Sequence, residues 1–360
     1  MAPTTLKFTG HGHFRSRLIL STLTGRQVRF EEIRPDDLEP GLKDFEVSFL
    51  RLLEKLTNGS VIEISYTGTT VLYRPGILVG GKFSHECCLS RALGYFLEPL
   101  IFIAPLCKSP VGITLTGITS NDLDIGVDTL RTAILPLLKR IGVDDGLELR
   151  ILKRGAPPLG GGEIHFTCSK QIRHFSTLHF TTPGKIKRIR GIASSTRVSP
   201  AIANRLVEST RSVLNRFIPD IYIYTDVYRG QESGKSPGFA LSLVAESTTG
   251  CLYSAETTGS AGESADDIGI KCARMLLCEI EKGGCVDTIG RTLLLQSMVL
   301  ASQDLSKIRI GSEPDENMVQ LLRDMQTFFA TEFILRPDVE NGGILVSCKG
   351  VGYQSSKKVN

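Results

Sequence analysis

Apolar positions along the chain alternate between helical spacing and strand spacing in a recurring order. FLRLLEKL (49–56) and ILPLLKRI (134–141) set Leu and Ile on one helical face, whereas IEISY (62–66) and LELRIL (147–152) alternate or run apolar as strands do. Three segments share the order helix, strand, turn, strand: Phe49 to Phe83, Ile134 to Phe166 and Val319 to Gly350. Their Leu-Leu pairs at 52/53, 137/138 and 321/322 are each followed by glycines, at Gly80-Gly81, Gly160–Gly162 and Gly342-Gly343. The pattern predicts an α+β fold of three repeated βαβαββ-type units. One such unit cannot bury its sheet alone, so the units are expected to pack on each other.

A segment from about 185 to 284 breaks the repeat. KIKRIRGIASS reads as a strand, and SPAIANRLVESTRSVLNRF as a helix opened by Ser199 as N-cap with Pro200 at its first position. IYIYTDVY and FALSLVAES follow as a strand pair around the turn from Gly230 to Gly238. SAGESADDIGIKCARMLLCEIEKGG then gives an amphipathic helix, acidic early and ended by Gly283-Gly284. The expected organisation is therefore repeats one and two in 1–184, a small inserted α/β domain in 185–284, before the third repeat, and the third repeat in 285–360.

At 360 residues the chain exceeds the usual single core, which agrees with several modules. With 41% hydrophobic and 22% charged residues it is neither fibrous nor disordered in composition. The N-terminus lacks an apolar signal core, and the most apolar run, YFLEPLIFIAPL, is interrupted by Glu98, Pro99 and Pro105, so an intracellular, soluble protein without a membrane partner is expected. Nine cysteines form no paired CxxC knuckles and no Cys/His cluster, so no metal site is expected and the thiols read as mostly buried. A formal charge of +4 is compatible with an anionic partner without requiring one.

Three places concentrate the charge. Arg154 opens RGAPPLGGGEIHF, whose glycine N–H groups suit either an anion cradle or a corner between strands, and no GK[ST] ending of a P-loop follows. Arg15 and Arg17 stand at the start of a helix after GHGHF, where a phosphate can bind or where arginines are simply solvated. Lys170 to Gly191 is the densest basic stretch, interleaved with aromatic residues. Lys185, Lys187, Arg188 and Arg190 within it form a candidate RNA or partner surface, or the wet side of an alternating strand.

Taken together, FRSRLILSTLTGRQVRFEEIR, PGLKDFEVSFLRLLEKLTNGS, LPLLKRIG with RGAPPLGGGEIHF, and ESADDIGIKCARMLLCEIEKGGCVD resemble the RNA 3′-terminal phosphate cyclase superfamily across essentially the whole chain. That resemblance implies three α+β units with a small inserted domain. It also implies a chemistry in which a histidine of the third repeat carries AMP to an RNA 3′-phosphate. All six histidines, at 11, 13, 85, 165, 174 and 179, precede the inserted segment. Glu316 falls near the expected histidine position, and Thr292-Leu293 stands where the family has an Asp-Gln pair. Arg15, Lys43 and Arg154 are retained and suit phosphate holding.

The pattern is similar to the cyclase-like branch of the superfamily. What this implies is a nucleolar factor of the small-subunit processome, needed for early pre-rRNA cleavages. Its partners would be a large nucleolar GTPase, pre-rRNA and a small nucleolar RNP, and neither a cofactor nor cyclase activity is expected. Two other functions stay open. Arg323 and Asp324 on the third-repeat helix could serve a pre-rRNA endonuclease as phosphorane stabiliser and base, or form a solvated helix face. Lys307 or a histidine of another repeat could replace the lost nucleophile.

Overall fold

The computed structural model describes residues 5–260, 262–339 and 342–355. The first unit comprises β1 (Leu6–Thr9), α1 (Phe14–Thr24), β2 (Val28–Glu31), α2 (Asp44–Leu56), β3 (Val61–Ile64) and β4 (Val71–Arg74). Its sheet has the order β1-β2-β4-β3, with β1 parallel to β2 and the other pairs antiparallel. A parallel pair needs a crossover, which α1 supplies.

The second unit repeats this plan with β5 (Gly81–Glu86), α3 (Leu93–Ile103), β6 (Val111–Gly117), the helical run α4 (residues 127–139), β7 (Leu147–Lys153) and β8 (Gly162–Cys168). The order is β5-β6-β8-β7, again with only the first pair parallel.

The third unit starts earlier than its sequence suggests. Its first strand, β9 (His179–Phe180), precedes the inserted segment and pairs in parallel with β14 (Leu305–Ile310), which lies beyond it. The insertion thus falls between the first strand and first helix of this unit, not ahead of the unit. Two residues of strand carry too little periodicity to be read. The unit is completed by α7 (Thr288–Leu300), α8 (Glu316–Phe329), β15 (Phe333–Pro337) and β16 (Ile344–Lys349), in the order β9-β14-β16-β15.

One glycine pair is also reassigned. Gly342-Gly343 and Gly160-Gly161 lie between the last two strands of their units, but Gly80-Gly81 follows β4 and opens the second unit. The corresponding turn of the first unit is Thr67-Gly68, between β3 and β4.

The inserted segment holds β10 (Ile186–Thr196), α5 (Pro200–Leu214), β11 (Ile221–Tyr228), β12 (Gly238–Ser247), β13 (Leu252–Thr258) and α6 (Ala265–Lys282). Ser199 accepts from Ala201 N–H at the start of α5, as its N-cap role requires. The order β11-β10-β12-β13 differs from that of the repeats. One face of this sheet, with Ile189, Ala193, Ile223, Leu241 and Leu243, is buried beneath α5 and α6.

The first helix of each unit is buried almost all round, as α1, α3 and α7 show, and together these three form the centre of the molecule. The second helices keep one wet side, with Arg51, Glu54 and Lys55 exposed on α2 and Arg323 and Gln326 on α8.

Unit one is joined to unit three through a buried ion pair. Arg17 on α1 donates to Asp324 on α8 at 2.8 and 3.1 Å, and Gln320 donates to the same carboxylate at 2.8 Å. The guanidinium also reaches the Gly12 carbonyl and lies 4.2 Å from the Phe8 ring centre. Removing one member of such a pair strands its partner's charge. Asp324→Ala is expected to lower unfolding free energy by about 3–5 kcal/mol. The double change Arg17→Met with Asp324→Leu should recover most of the loss, with both read by chemical denaturation.

Candidate nucleic-acid interface

The turn from Arg154 to Gly162 is a corner, and its arginine is not free to hold an anion. Gly160 and Gly161 take positive φ values of 59° and 82° there, and a Cβ on Gly155 would stand 2.2 Å from the Gly162 nitrogen. Arg154 is 2% exposed. It donates to Asp128 at 2.6 and 2.9 Å and to Asp226 at 2.9 and 2.7 Å, from α4 on one side and β11 on the other. Burial alone would lower its pKa, but the two carboxylates outweigh burial and hold it raised. The guanidinium is therefore taken up by the protein's own acids, although a cavity of about 660 Å³ opens beside the turn, and Arg154 fastens the insertion to unit two.

Arg15 and Lys43 are likewise engaged elsewhere. Arg15 pairs with Glu98 at 2.6 Å, donates to the Tyr95 carbonyl and lies 4.6 Å from the Tyr95 ring centre. Its neighbours Thr292, Leu293 and Gln296 close the junction of α1, α3 and α7 to a cavity of about 30 Å³, room for roughly one water. Lys43 caps α2 and reaches the Glu39 carbonyl at 3.2 Å and carboxylate at 3.6 Å. The three residues are thus not gathered into one phosphate site.

The cleavage pair does not form either. Asp324 is 2% exposed and bound to Arg17, whereas Arg323 next to it points to solvent. A base must reach the proton it takes, and this carboxylate does not. Glu316 is exposed at the first position of α8, and Lys307 is exposed on β14 opposite His179. Among the described residues no cluster of His, Cys, Asp and Glu suits a metal, and no helix is long and apolar enough to cross a membrane. Seven of the cysteines are buried, Cys88 is half-buried and Cys278 is exposed.

The basic stretch, by contrast, opens onto a groove of about 790 Å³ between α4 and the insertion's sheet. Arg188 and Arg190 line one wall and Lys139 and Arg140 the other, with Gly191 and Gly250 also in the lining. A bulge in β10 lets Lys187 and Arg188 share one carboxylate, Glu246, at 2.6 and 2.5 Å. Although burial pushes Glu246 upward, their hydrogen bonds hold its pKa below the ordinary value. Arg190 takes Asp220 at 2.8 and 3.0 Å, and Lys185 is exposed. Lys139 and Arg140 have no carboxylate partner among the described residues; Arg140 lies 4.2 Å from the Phe180 ring centre. Sequence reading missed both, although a Lys-Arg pair after a Leu-Leu pair marks a helix C-terminus, where cations are favoured.

Two further carboxylates join the insertion to the body. Glu256 on β13 accepts from Gly126 N–H at 2.7 Å and the Thr129 hydroxyl at 2.5 Å. Asp287, the N-cap of α7, accepts from Ser254 N–H at 2.8 Å and Gly290 N–H at 2.7 Å. Burial drives Glu256 up to about 7, with Asp128 and Asp122 adding to the rise, and drives Asp287 up to about 6.

A family model described as RNA 3′-terminal phosphate cyclase matches residues 6–335. The chain is 52% identical over 349 residues to the "rRNA processing protein rcl1" of Schizosaccharomyces pombe, covering 96% of each chain. It is 48% identical to the "RNA 3′-terminal phosphate cyclase-like protein" of Homo sapiens, covering 98% of each. To the "rRNA processing protein RCL1" of Saccharomyces cerevisiae it is 43% identical, covering 99% of this chain and 98% of the other.

A carboxyl whose pKa rises on folding favours the folded state while protonated, and that stability is lost as pH rises from its unfolded to its folded pKa. For Glu256 the window runs from about 4.5 to about 7, and for Asp287 from 3.8 to about 6. Unfolding free energy should therefore have a component that falls as pH rises between 4 and 7. Glu256→Gln should flatten the upper part of that fall, and a denaturation series across this range checks it.

Proposed function

The chain belongs to the RNA 3′-terminal phosphate cyclase family, and from that premise we propose that it acts as an rRNA-processing factor without cyclase activity. The observation that carries the second half is the histidine distribution. Cyclase chemistry needs an imidazole that can carry AMP near the start of α8; the third unit's histidine, His179, lies instead on β9 opposite Lys307, and no histidine follows it in the sequence. Glu316, near that place, offers a carboxylate, which cannot form the phosphoramidate bond. The junction beside Thr292, closed to about 30 Å³, and the pairing of Arg154 with Asp128 and Asp226 support the same reading, since the first has no room for a triphosphate and the second commits the guanidinium to internal carboxylates.

The names of relatives similar over nearly the full length support a role in rRNA processing and a nuclear setting. The finer proposal is a nucleolar member of the small-subunit processome that binds a large nucleolar GTPase, a small nucleolar RNP and pre-rRNA. Lys139, Arg140, Lys185, Lys187, Arg188 and Arg190 would meet the RNA phosphates. No observation favours the endonuclease alternative, because Asp324 is spent on Arg17.

Incubation with labelled ATP and a 3′-phosphate RNA should give no protein-bound AMP and no cyclised ends beside an active cyclase. Covalent AMP would overturn the reading. With a pre-rRNA transcript the protein should bind in a salt-dependent way. Lys139→Glu with Lys185→Glu, which breaks no described ion pair, should weaken binding at low salt and reduce the salt slope by about one per lost phosphate contact.

A further inference from the structure

The insertion's sheet has a second face, opposite α5 and α6, and the body covers only part of it. The strand register sets its rows. Tyr222, Arg190 and Val244 stand side by side across β11, β10 and β12; Tyr224, Ile192 and Ser242 form the next row; Asp226, Ser194 and Ala240 form the third. The body takes Asp226 through Arg154 and Ser242 through the Thr129 hydroxyl at 2.8 Å. It leaves Tyr222 and Tyr224 uncovered, at 63% and 56% exposure, while their neighbours Ile221 and Ile223 are buried on the other face.

Edge strands are usually short, bulged, covered or blunted with charged side chains or proline. Here the edge strand β11 presents two aromatic rings on one face, two residues and so about 6.6 Å apart along the strand. Arg190 lies beside Tyr222, and Arg188, Lys139 and Arg140 continue along the adjoining groove. Of these cations Lys139 and Arg140 are unmatched by a carboxylate, and Arg188 shares its carboxylate with Lys187. Exposed rings at strand spacing with surplus positive charge alongside fit a chain that carries a planar group and an anion at every repeat.

We propose that this open face is a stacking platform for single-stranded RNA. Tyr222 and Tyr224 would each take one unpaired base, and Arg188, Arg190, Lys139 and Arg140 would meet the phosphates running through the groove. The proposal rests on reading the chain as an RNA-binding factor and adds the form of RNA it takes. Bases in a duplex are already stacked on one another and do not reach the rings, so the platform selects unpaired strand. An acidic protein segment would use the cations and leave the ring faces without planar partners.

The test titrates the full-length protein with an unstructured 12-nucleotide RNA, its duplex and a structured pre-rRNA transcript. Binding is read by anisotropy and by tyrosine emission, which the absence of tryptophan makes readable directly. The single strand should bind more tightly than the duplex and quench tyrosine emission. Tyr222→Ala and Tyr224→Ala should each weaken it about tenfold with little change in salt slope. Tyr→Phe at either position should retain affinity, since the ring remains, and unchanged melting curves would exclude a folding effect. Full single-strand affinity in the double alanine variant would overturn the platform. If transcript binding then still falls in Lys139→Glu with Lys185→Glu, the RNA-binding role stands without it. Failure of the wild-type protein to bind any of the three RNAs would remove both. Loss of a protein partner, but not of RNA, in the tyrosine variants would assign the face to protein and also overturn the platform.

Discussion

Much of the molecule's arrangement turns on one buried guanidinium. Arg154 lies between Asp128 of the second unit and Asp226 of the insertion, and its backbone carries the same junction: its N–H donates to the Glu232 carbonyl, and its carbonyl accepts from Gly234 N–H. A buried arginine with one carboxylate would balance desolvation poorly. With two, in near-planar fork contacts, most of its donors are satisfied and the charge is compensated from both bodies. The geometry fixes the inserted sheet against α4 at one end. Glu256 and Asp287 continue the seam along β13, so β13 and the Asp226 end of β11 are held down while the start of β11, with Tyr222 and Tyr224, stands clear. Both the basic groove and the exposed tyrosines follow from that placement.

The repeat was legible because its signals are local. Leu52-Leu53, Leu137-Leu138 and Leu321-Leu322 mark second helices of the same kind, and all but Leu322 are fully buried. Ser199 and Gly283 mark real helix ends. What sequence reading misplaced depends on pairing at long range. β9 is a strand only because β14 lies beside it, and Gly80-Gly81 resembles the other glycine turns in composition while sitting at a different point in the topology.

The charged residues tell the same story more sharply. Whether an arginine is free to bind a ligand depends on which acid meets it, and that acid can be anywhere in the chain. Arg154 meets Asp226 across 72 positions and Arg17 meets Asp324 across 307. From sequence, Arg154 beside glycines reads as either an anion cradle or a corner between strands, and Asp324 beside Arg323 as either a cleavage pair or a solvated helix face. Folding spends both on internal ion pairs. The basic stretch at 185–190 escaped this fate in part, since Lys187 and Arg188 divide a single acid between them.

The position of the insertion also bears on how the chain assembles. β9 is synthesised well before its partner, with His179 and Lys307 brought together only after the whole insertion has been traversed. Until then the third sheet lacks an edge and the apolar side of Phe180 lacks cover. An unfolded connection of that length adds closing entropy, but an insertion that has already folded on its own helices shortens the effective loop to residues 181–185 and 283–304, the latter holding α7. The inserted segment therefore does for the third unit what a splint does, and the order in which the parts mature is written into the topology.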